Sequence, residues 1–266
     1  MTSDTRRQDF ADAAARLWRS WEAGEVIETL EQGRPASMED GYAIQAALAE
    51  ACGQAVAGWK IAATSAAGQA HIAVDGPIAG RLLAGRCHPH PARLPFGHNR
   101  MAVAEAEFAF RFGEDLPARD ADHTHEEILA RVAALHPAIE LPDSRFHDFA
   151  AAGGAQLAAD NACAHLFVLG PEAGADWRGA DLRTQEVILR INGEVVSRGH
   201  GSDALGDPLA ALAWLVNCPA VKAAGGLRAG QVVTTGVCGL PSPVRAGDRV
   251  EADFGPFGSA RVELGA

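Results

Sequence analysis

Two glutamates, Glu105 and Glu107, are separated by a single residue in the segment MAVAEAEFAFRF, which is otherwise mostly apolar. Successive side chains of a strand point to opposite faces, so both carboxylates project from one face and Phe108, Phe110 and Phe112 from the other. Like charges this close together must be protonated, hydrated or paired with a cation. The pattern therefore indicates either a solvated strand face, which is common in antiparallel sheets, or part of a divalent metal site.

A third carboxylate, Glu140, lies between Ile139 and Leu141 in an apolar segment that Pro142 ends. A glutamate in such surroundings is seldom buried unless it is paired or coordinates a metal, so its partner is either Arg145 or an ion shared with the first two glutamates. Three carboxylates without a histidine suit Mg²⁺ or Mn²⁺ better than zinc. An octahedral ion held in this way keeps about three positions open, and a 2-oxo acid can chelate it.

The segment GWKIAATS contains Lys60, one of only two lysines in a chain with 21 arginines. Lysine is a compact donor whose pKa falls readily on burial, so Lys60 is a candidate for binding a carboxylate or moving a proton. The alternative is a lysine whose stem packs on apolar neighbours while its ammonium reaches water. Asp75, in VDGP, is an ordinary turn residue, but close to Lys60 it would complete a proton-transfer pair.

The elements that must position these residues are helical at the beginning of the chain and mostly stranded afterwards. DFADAAARLWRSWEAG predicts a helix that Gly24 stops, and a second helix begins at Ser37. Asn192-Gly193 predicts a hairpin turn, and Asp207 with Pro208 predicts the start of a later helix. After that helix, Gly and Pro turns separate three or four short strands.

This order predicts an α+β fold, with a helical N-terminal region at residues 1–57 and a β-rich body at residues 58–266. No linker is long enough to separate independent domains, so we expect one continuous domain. At 266 residues and 48% hydrophobic content, the chain can bury a full core.

A net charge of −11 argues against a nucleic acid or an anionic membrane as the main partner. No apolar run is long enough for a membrane span, and the N-terminus lacks the apolar segment of a signal peptide, so we expect a cytoplasmic protein. The five cysteines are odd in number, scattered and form no CxxC pair, so the sequence suggests neither a zinc ribbon nor a disulfide framework. Cys87, His88 and His90 have no standard zinc spacing and predict a surface loop.

Several motifs together resemble those of a known family. GWKIAATS, VDGPIAGRLL, AEAEFAFRFGEDLP, PAIELPDSRFHDF, DNACAHLFVLG and GHGSDALGDPLAALAWL follow one another as they do in the 2-oxopent-4-enoate hydratase and 4-oxalocrotonate decarboxylase family of the fumarylacetoacetate hydrolase superfamily. The resemblance extends from about residue 8 to residue 264. It implies a mixed β-sandwich or roll of the fumarylacetoacetate hydrolase C-terminal-domain type, with a helical N-terminal region, in a homo-oligomer.

The same resemblance implies that Glu105, Glu107 and Glu140 ligate Mg²⁺ or Mn²⁺, and that Lys60 and Asp75 act on the substrate.

Candidate substrate-binding residues are Ser65, Arg145 and Cys163. Cys163 stands in DNACA where the family motif has a serine, so this position departs from the pattern.

The activity implied is addition of water to a 2-hydroxy-2,4-dienoate, which yields a 4-hydroxy-2-oxo acid in the catabolism of aromatic compounds. The alternative is a 4-oxalocrotonate-type decarboxylase, which differs in needing a cation for the second carboxylate of its substrate. Arg81, Arg86 and Arg145 are candidates for that cation. The motif VSRGHGSDALGDPLAALAWL is nearer to the hydratase form and favours the first interpretation.

Two further interpretations come from other functional classes. An acylpyruvate C–C hydrolase would use the same glutamates, but it usually needs a His and Glu pair from an N-terminal segment, and no histidine precedes His71. A non-catalytic subunit that binds a sister decarboxylase or hydratase would not need Lys60, Asp75 and all three glutamates. An active enzyme that associates with such a sister enzyme is compatible with the sequence.

Overall fold

The computed structural model describes residues 3–174 and 176–265. Its α-helices are α1 Ser3–Ala23, α2 Met38–Ala51, α3 Ala66–His71, α4 His125–Arg131, α5 Phe149–Ala152, α6 Gly154–Ala159, α7 Pro208–Asn217 and α8 Pro219–Ala223. Three of the predicted signals are confirmed. Gly24 follows α1 with a φ of +66°, the Ser37 side chain caps α2, and Asp207 caps α7 with Pro208 in its first turn. Among the described residues, no helix combines the length and the apolar character that a membrane span requires.

The strands are β1 Val56–Ala62, β2 Ile78–Leu83, β3 Cys87–Pro89, β4 Ala92–Pro95, β5 Val103–Phe112, β6 Leu116–Pro117, β7 Val132–Leu141, β8 Leu166–Leu169, β9 Glu186–Ile191, β10 Glu194–His200, β11 Gly226–Leu227, β12 Val232–Val237, β13 Ser242–Pro243, β14 Arg249–Asp253 and β15 Ser259–Gly265. The hairpin predicted across Asn192-Gly193 is confirmed, because it joins β9 to β10 with both turn residues at positive φ. The four strands from β12 to β15 also agree with the prediction of three or four short strands near the end of the chain.

Two mixed sheets form the body of the protein. The larger sheet has the strand order β2-β1-β12-β5-β7-β8-β3, and β13 adds to β5, whereas the smaller has the order β10-β9-β14-β15-β4. The predicted surface loop at Cys87 is wrong, since Cys87–Pro89 pairs with β8 as the edge strand β3. Its three residues pair in parallel with β8, and such a short edge strand has no room for the apolar alternation that would predict it.

The two faces of β5 have different surroundings, as its alternating pattern predicts. Phe108, Phe110 and Phe112 are fully buried, and the Phe108 ring makes an edge contact with Phe254, which follows β14, at 4.8 Å between centroids. This face therefore packs toward the smaller sheet. The opposite face carries Glu105 and Glu107.

A second apolar cluster joins the helices to the body. It contains Leu17 of α1, Ile44 of α2 and Leu157 of α6, and Ile78 at the start of β2. The helical layer thus combines N-terminal helices with residues of the 146–163 segment. The α+β prediction, with helices against curled mixed sheets, is confirmed.

Candidate active site

Two adjacent strands of the larger sheet, β5 and β7, together with β1, bring the predicted chemical groups together. Glu105 and Glu107 lie on β5, Glu140 lies directly opposite Glu105 on β7, and Lys60 lies on β1, two strands from β5. One oxygen from each of the three carboxylates lies within 4.8 Å of the other two. Octahedral Mg²⁺ with bonds of about 2.1 Å needs oxygens roughly 3 to 4 Å apart, so the set can close on such an ion with small side-chain movements.

Lys60 is the cation of this cluster. Its side chain is buried, its ammonium lies 2.9 Å from Glu140 Oε2, and it donates a hydrogen bond to the Ala162 carbonyl at 3.2 Å. Burial alone would lower the lysine pKa, but the charges of Glu140, Glu105 and Glu107 outweigh it and raise the pKa. Lys60 therefore remains an ammonium, and the alternative in which it reaches the surface is wrong.

The three glutamates carry more negative charge than one lysine can balance. Burial is the largest cause that raises the pKa of each, to about 7 for Glu105 and well above the usual value for Glu140, while Lys60 acts in the opposite direction. With all three ionised, the cluster with Lys60 has a net charge of −2. A divalent cation would neutralise it.

Two buried oxygens of the cluster also lack a partner. Glu107 Oε1 and Glu140 Oε1 accept no hydrogen bond from any residue that the structure describes. Buried polar atoms are usually satisfied, and carboxylate oxygens without donors are suitable ligands for a hard cation. The residues present therefore fit a divalent metal.

The second oxygen of Glu107 is held by β12. The Thr234 hydroxyl and the Gly236 amide both donate to Glu107 Oε2, the latter at 2.9 Å. A bulge between Thr234 and Val237 allows this, because β12 uses one residue more than β5 there. Gly236 has a φ of +98°, and a Cβ at this position would lie 2.3 Å from the Thr64 side chain, so the turn requires glycine.

Replacing Thr234 with valine should weaken Mg²⁺ binding about 10- to 100-fold, the usual effect of losing a hydrogen bond that orients a metal ligand. Turnover at saturating Mg²⁺ should change much less. Calorimetric titration of the metal-free protein measures the affinity. Thr235→Val is the matched control, because the Thr235 hydroxyl donates to the Phe108 carbonyl on the other side of the strand. Equal losses of affinity in both variants would show that the hydrogen bond to Glu107 has no special role.

A turn with three left-handed residues completes the surroundings of Lys60. Asn161, Ala162 and Cys163 have φ values of +57°, +51° and +60°. The Asn161 side chain accepts from the Arg81 amide at 2.7 Å and donates to the Arg81 carbonyl at 2.8 Å, which fixes the turn to β2. Non-glycine residues rarely adopt this conformation, and runs of them persist only where surrounding contacts impose them. Here the turn directs the Ala162 carbonyl toward Lys60.

A cavity of about 370 Å³ adjoins the cluster. The polar side chains of its wall belong to Lys60, Thr64, Ser65, His71, Glu105 and Cys163. The remaining wall is mostly apolar and includes Ile72, Ile78, Met101, Val103, Phe149 and Leu240. Its volume and composition are typical of a small-molecule site, with a few polar groups in a mostly apolar wall.

Not every candidate residue lies in this wall. Ser65 and Cys163 do, although the Ser65 hydroxyl also accepts from the Gly68 amide as the cap of α3. Asp75 lies in an exposed turn before β2 and is not part of the wall, so the structure does not bring it to Lys60. Its predicted proton-transfer role is therefore without support from this geometry.

Arg145 is also absent from the cavity. It is buried against Asp143, and its guanidinium lies over the Trp21 ring at 4.9 Å, so it is not the partner of Glu140. Because its charge is already paired with Asp143, this geometry gives no support to the prediction that Arg145 binds substrate.

Arg81 and Arg86 likewise lie outside the wall that the structure describes. The first donates to Gln45 at 2.6 Å and the second lies over Trp21 at 5.3 Å.

Comparison with known proteins agrees with this geometry. The family model for the fumarylacetoacetate (FAA) hydrolase C-terminal region matches residues 68–264. The solved structure of 4-oxalocrotonate decarboxylase from Pseudomonas putida G7, complexed with magnesium and adipate, has a TM-score of 0.85 and 26% identity to the chain. That comparison covers 99% of this chain and 98% of the decarboxylase.

Hydratases are similar over most of their length. A 2-keto-4-pentenoate hydratase from Burkholderia vietnamiensis is 36% identical over 257 residues, which covers 95% of this chain and 96% of that protein. Another from Paraburkholderia xenovorans is 32% identical over 261 residues, with coverage of 97% and 95%. The chain therefore belongs to the fumarylacetoacetate hydrolase family, among the relatives of the 2-keto-4-pentenoate hydratases.

Proposed function

We propose that the protein is a Mg²⁺-dependent hydratase that adds water to a 2-hydroxy-2,4-dienoate with a single carboxylate and forms a 4-hydroxy-2-oxo acid. The hydratase relatives support the reaction class, and the oxygen-only set of Glu105, Glu107 and Glu140 supports Mg²⁺ as the cofactor. Mn²⁺ has the same preference for oxygen and is the alternative ion.

The composition of the cavity wall distinguishes this proposal from the decarboxylase alternative. A substrate with two carboxylates needs a cation for the second one, because an unpaired buried carboxylate is costly. The described wall contains no arginine and no lysine other than Lys60, which already lies beside Glu140. This observation carries the proposal, since a single carboxylate can bind at the metal end while the rest of the substrate contacts apolar surface.

The reaction assigns a role to Lys60. A bound Mg²⁺ would supply positive charge that stabilises the enolate oxygen at C2 of the substrate. The Lys60 ammonium donates a proton to C5 as the dienol becomes an unsaturated ketone, and its amine takes up the proton that the C2 hydroxyl loses. Lys60 then donates a second proton to C3 as water adds at C4, and the attacking water returns a proton to the amine, so that the net change is addition of one water and Lys60 ends as an ammonium.

The chemistry of the wall also favours exclusion of bulk water. Ile78, Phe149 and Leu157 contribute apolar surface to the cavity, so a proton carried by Lys60 is not readily exchanged with solvent. The Ala162 carbonyl holds the ammonium in place while it donates.

A comparison of two substrates tests this proposal. With Mg²⁺ present, we expect kcat/KM for hydration of 2-hydroxypenta-2,4-dienoate to exceed that for CO₂ release from 2-oxo-3-hexenedioate by at least about 100-fold, because an unpaired carboxylate costs several kcal/mol. Absorbance follows the loss of dienoate, and NMR identifies the products. Faster CO₂ release would instead assign the chain to the decarboxylase reaction.

The remaining expectations concern the protein in its cell. We infer from the family resemblance a homo-oligomer in the cytoplasm, acting in the catabolism of aromatic compounds, with association to a sister decarboxylase or hydratase as a further prediction. Light scattering of the purified protein tests whether it is a homo-oligomer. Co-purification with the sister enzyme tests whether the two associate.

A further inference from the structure

We propose that the cavity is built for a 2-hydroxy-2,4-dienoate that carries an apolar substituent of about four carbons beyond C5, so that the five-carbon dienoate fills only part of it. This inference rests on the proposed function, because it places the carboxylate and the C2 oxygen at the three glutamates. To the proposed function, this inference adds the class of substrate and the residues that select that class.

The spacing of residues along β5 gives a measure of length. Val103 lies two residues before Glu105 on the same strand face, and both line the cavity. Two residues of a strand span about 6.6 Å. A substrate that chelates a cation beside Glu105 can extend along β5. Its C5 lies three bonds, about 4 Å, from its C2, so C5 comes to lie beside Val103.

The cavity continues past that point. Met101 precedes Val103 by two residues and also lines the cavity. It belongs to the same apolar cluster as Ile72 and Phe149, which are further members of the wall. Ala102 has a φ of +50°, so the chain leaves the extended strand between Val103 and Met101. The room past C5 is therefore given by the volume of the cavity and not by strand spacing.

The volume leads to the same conclusion. The five-carbon dienoate has eight heavy atoms, which occupy roughly 140 Å³ if each takes somewhat more than half of a water molecule's share of about 30 Å³. The cavity holds about 370 Å³. More than half of it would remain filled with water beside apolar side chains, an arrangement that an apolar substituent improves by displacing that water.

The chemistry of the end wall selects an apolar substituent over a charged one. Met101, Ile72 and Phe149 carry no hydrogen-bonding group that could hold a carboxylate, and the Phe149 ring makes an edge contact with His71 at 5.7 Å. The nearest cation in sequence, Arg100, is exposed and lines a separate groove that shares only Met101 and Phe149 with this cavity.

A series of substrates tests the inference. We expect kcat/KM to rise about fourfold for each added methylene, as for burial of one CH₂, and to be at least tenfold higher for 2-hydroxynona-2,4-dienoate than for 2-hydroxypenta-2,4-dienoate. In Met101→Trp, which shortens the cavity at its end wall, the ratio of these two kcat/KM values should fall at least tenfold. Met38→Trp is the matched control, because Met38 lies outside the cavity wall, and it should leave the ratio unchanged.

The outcomes separate the two proposals. Turnover of the five-carbon dienoate with equal or lower kcat/KM for the longer ones would overturn the inference and leave the hydratase assignment intact. Absence of turnover with every dienoate would overturn both. A rise with chain length that Met101→Trp leaves unchanged would show that another wall selects the substrate, which contradicts the role assigned to Met101.

Discussion

Glu107→Gln should lose at least 100-fold in Mg²⁺ affinity and on the order of 10³-fold in kcat/KM, because a metal ion contributes several kcal/mol to stabilising the transition state. The substitution preserves the shape of the side chain and the contacts with Thr234 and Gly236, but removes one of three negative charges. Calorimetric titration measures the affinity, and absorbance of the dienoate measures the rate.

The stability of metal-free Glu107→Gln should not fall, in contrast to its Mg²⁺ affinity and its kcat/KM. Three buried carboxylates repel one another beside a single lysine, so loss of one charge relieves repulsion and the melting temperature should be equal or higher. Glu194→Gln is the control, since Glu194 is exposed at the start of β10 and should retain full activity. Normal Mg²⁺ affinity in Glu107→Gln would contradict the assignment of Glu107 as a ligand.

Lys60→Met should reduce kcat by about 10²- to 10⁴-fold, the range typical for loss of a general acid or base. Mg²⁺ affinity should be retained or improved, because a positive charge 2.9 Å from Glu140 is removed. The metal-free protein should be less stable by about 3–5 kcal/mol, since Glu140 then remains buried without its partner. Denaturant unfolding with and without Mg²⁺ measures this difference.

The chain provides its own control for this substitution. Lys222 is the other lysine, lies on α8 and pairs with Asp122 near the surface, so Lys222→Met should leave kcat and Mg²⁺ affinity unchanged. Lys60→Arg should not restore activity, because arginine stays charged and cannot exchange a proton. Full activity in Lys60→Met would exclude Lys60 from the chemistry and return attention to His71, another titratable side chain of the described wall.

The sequence was sufficient to predict the central cluster because strand periodicity is a local property. Alternation along β5 placed Glu105 and Glu107 on one face, and the apolar neighbours of Glu140 indicated a paired or metal-bound carboxylate. The register that sets Glu105 opposite Glu140 depends on how β5 and β7 pair, which no local pattern determines. The residues alone left this grouping as one of two alternatives, and the resemblance to a family favoured it.

The residues that were missed or misplaced depend on which of several available contacts form in the folded chain. Thr234 and Gly236 act through a bulge in β12, and the lone glycine within the apolar strand segment VVTTGV is a local sign of such a bulge that the prediction did not use. Arg145 pairs with Asp143, only two residues away, although its position also suited Glu140. Asp75 follows Lys60 closely in sequence, but it lies in an exposed turn and is not part of the cavity wall.

The most direct test of the account is to mix the metal-free protein with freshly generated 2-hydroxypenta-2,4-dienoate and to add Mg²⁺ in steps, while NMR identifies the product. Our account predicts no turnover without metal and saturable formation of 4-hydroxy-2-oxopentanoate as Mg²⁺ binds, with both the metal binding and the reaction lost in Glu107→Gln. Equal hydration in the presence and absence of a divalent cation would contradict it.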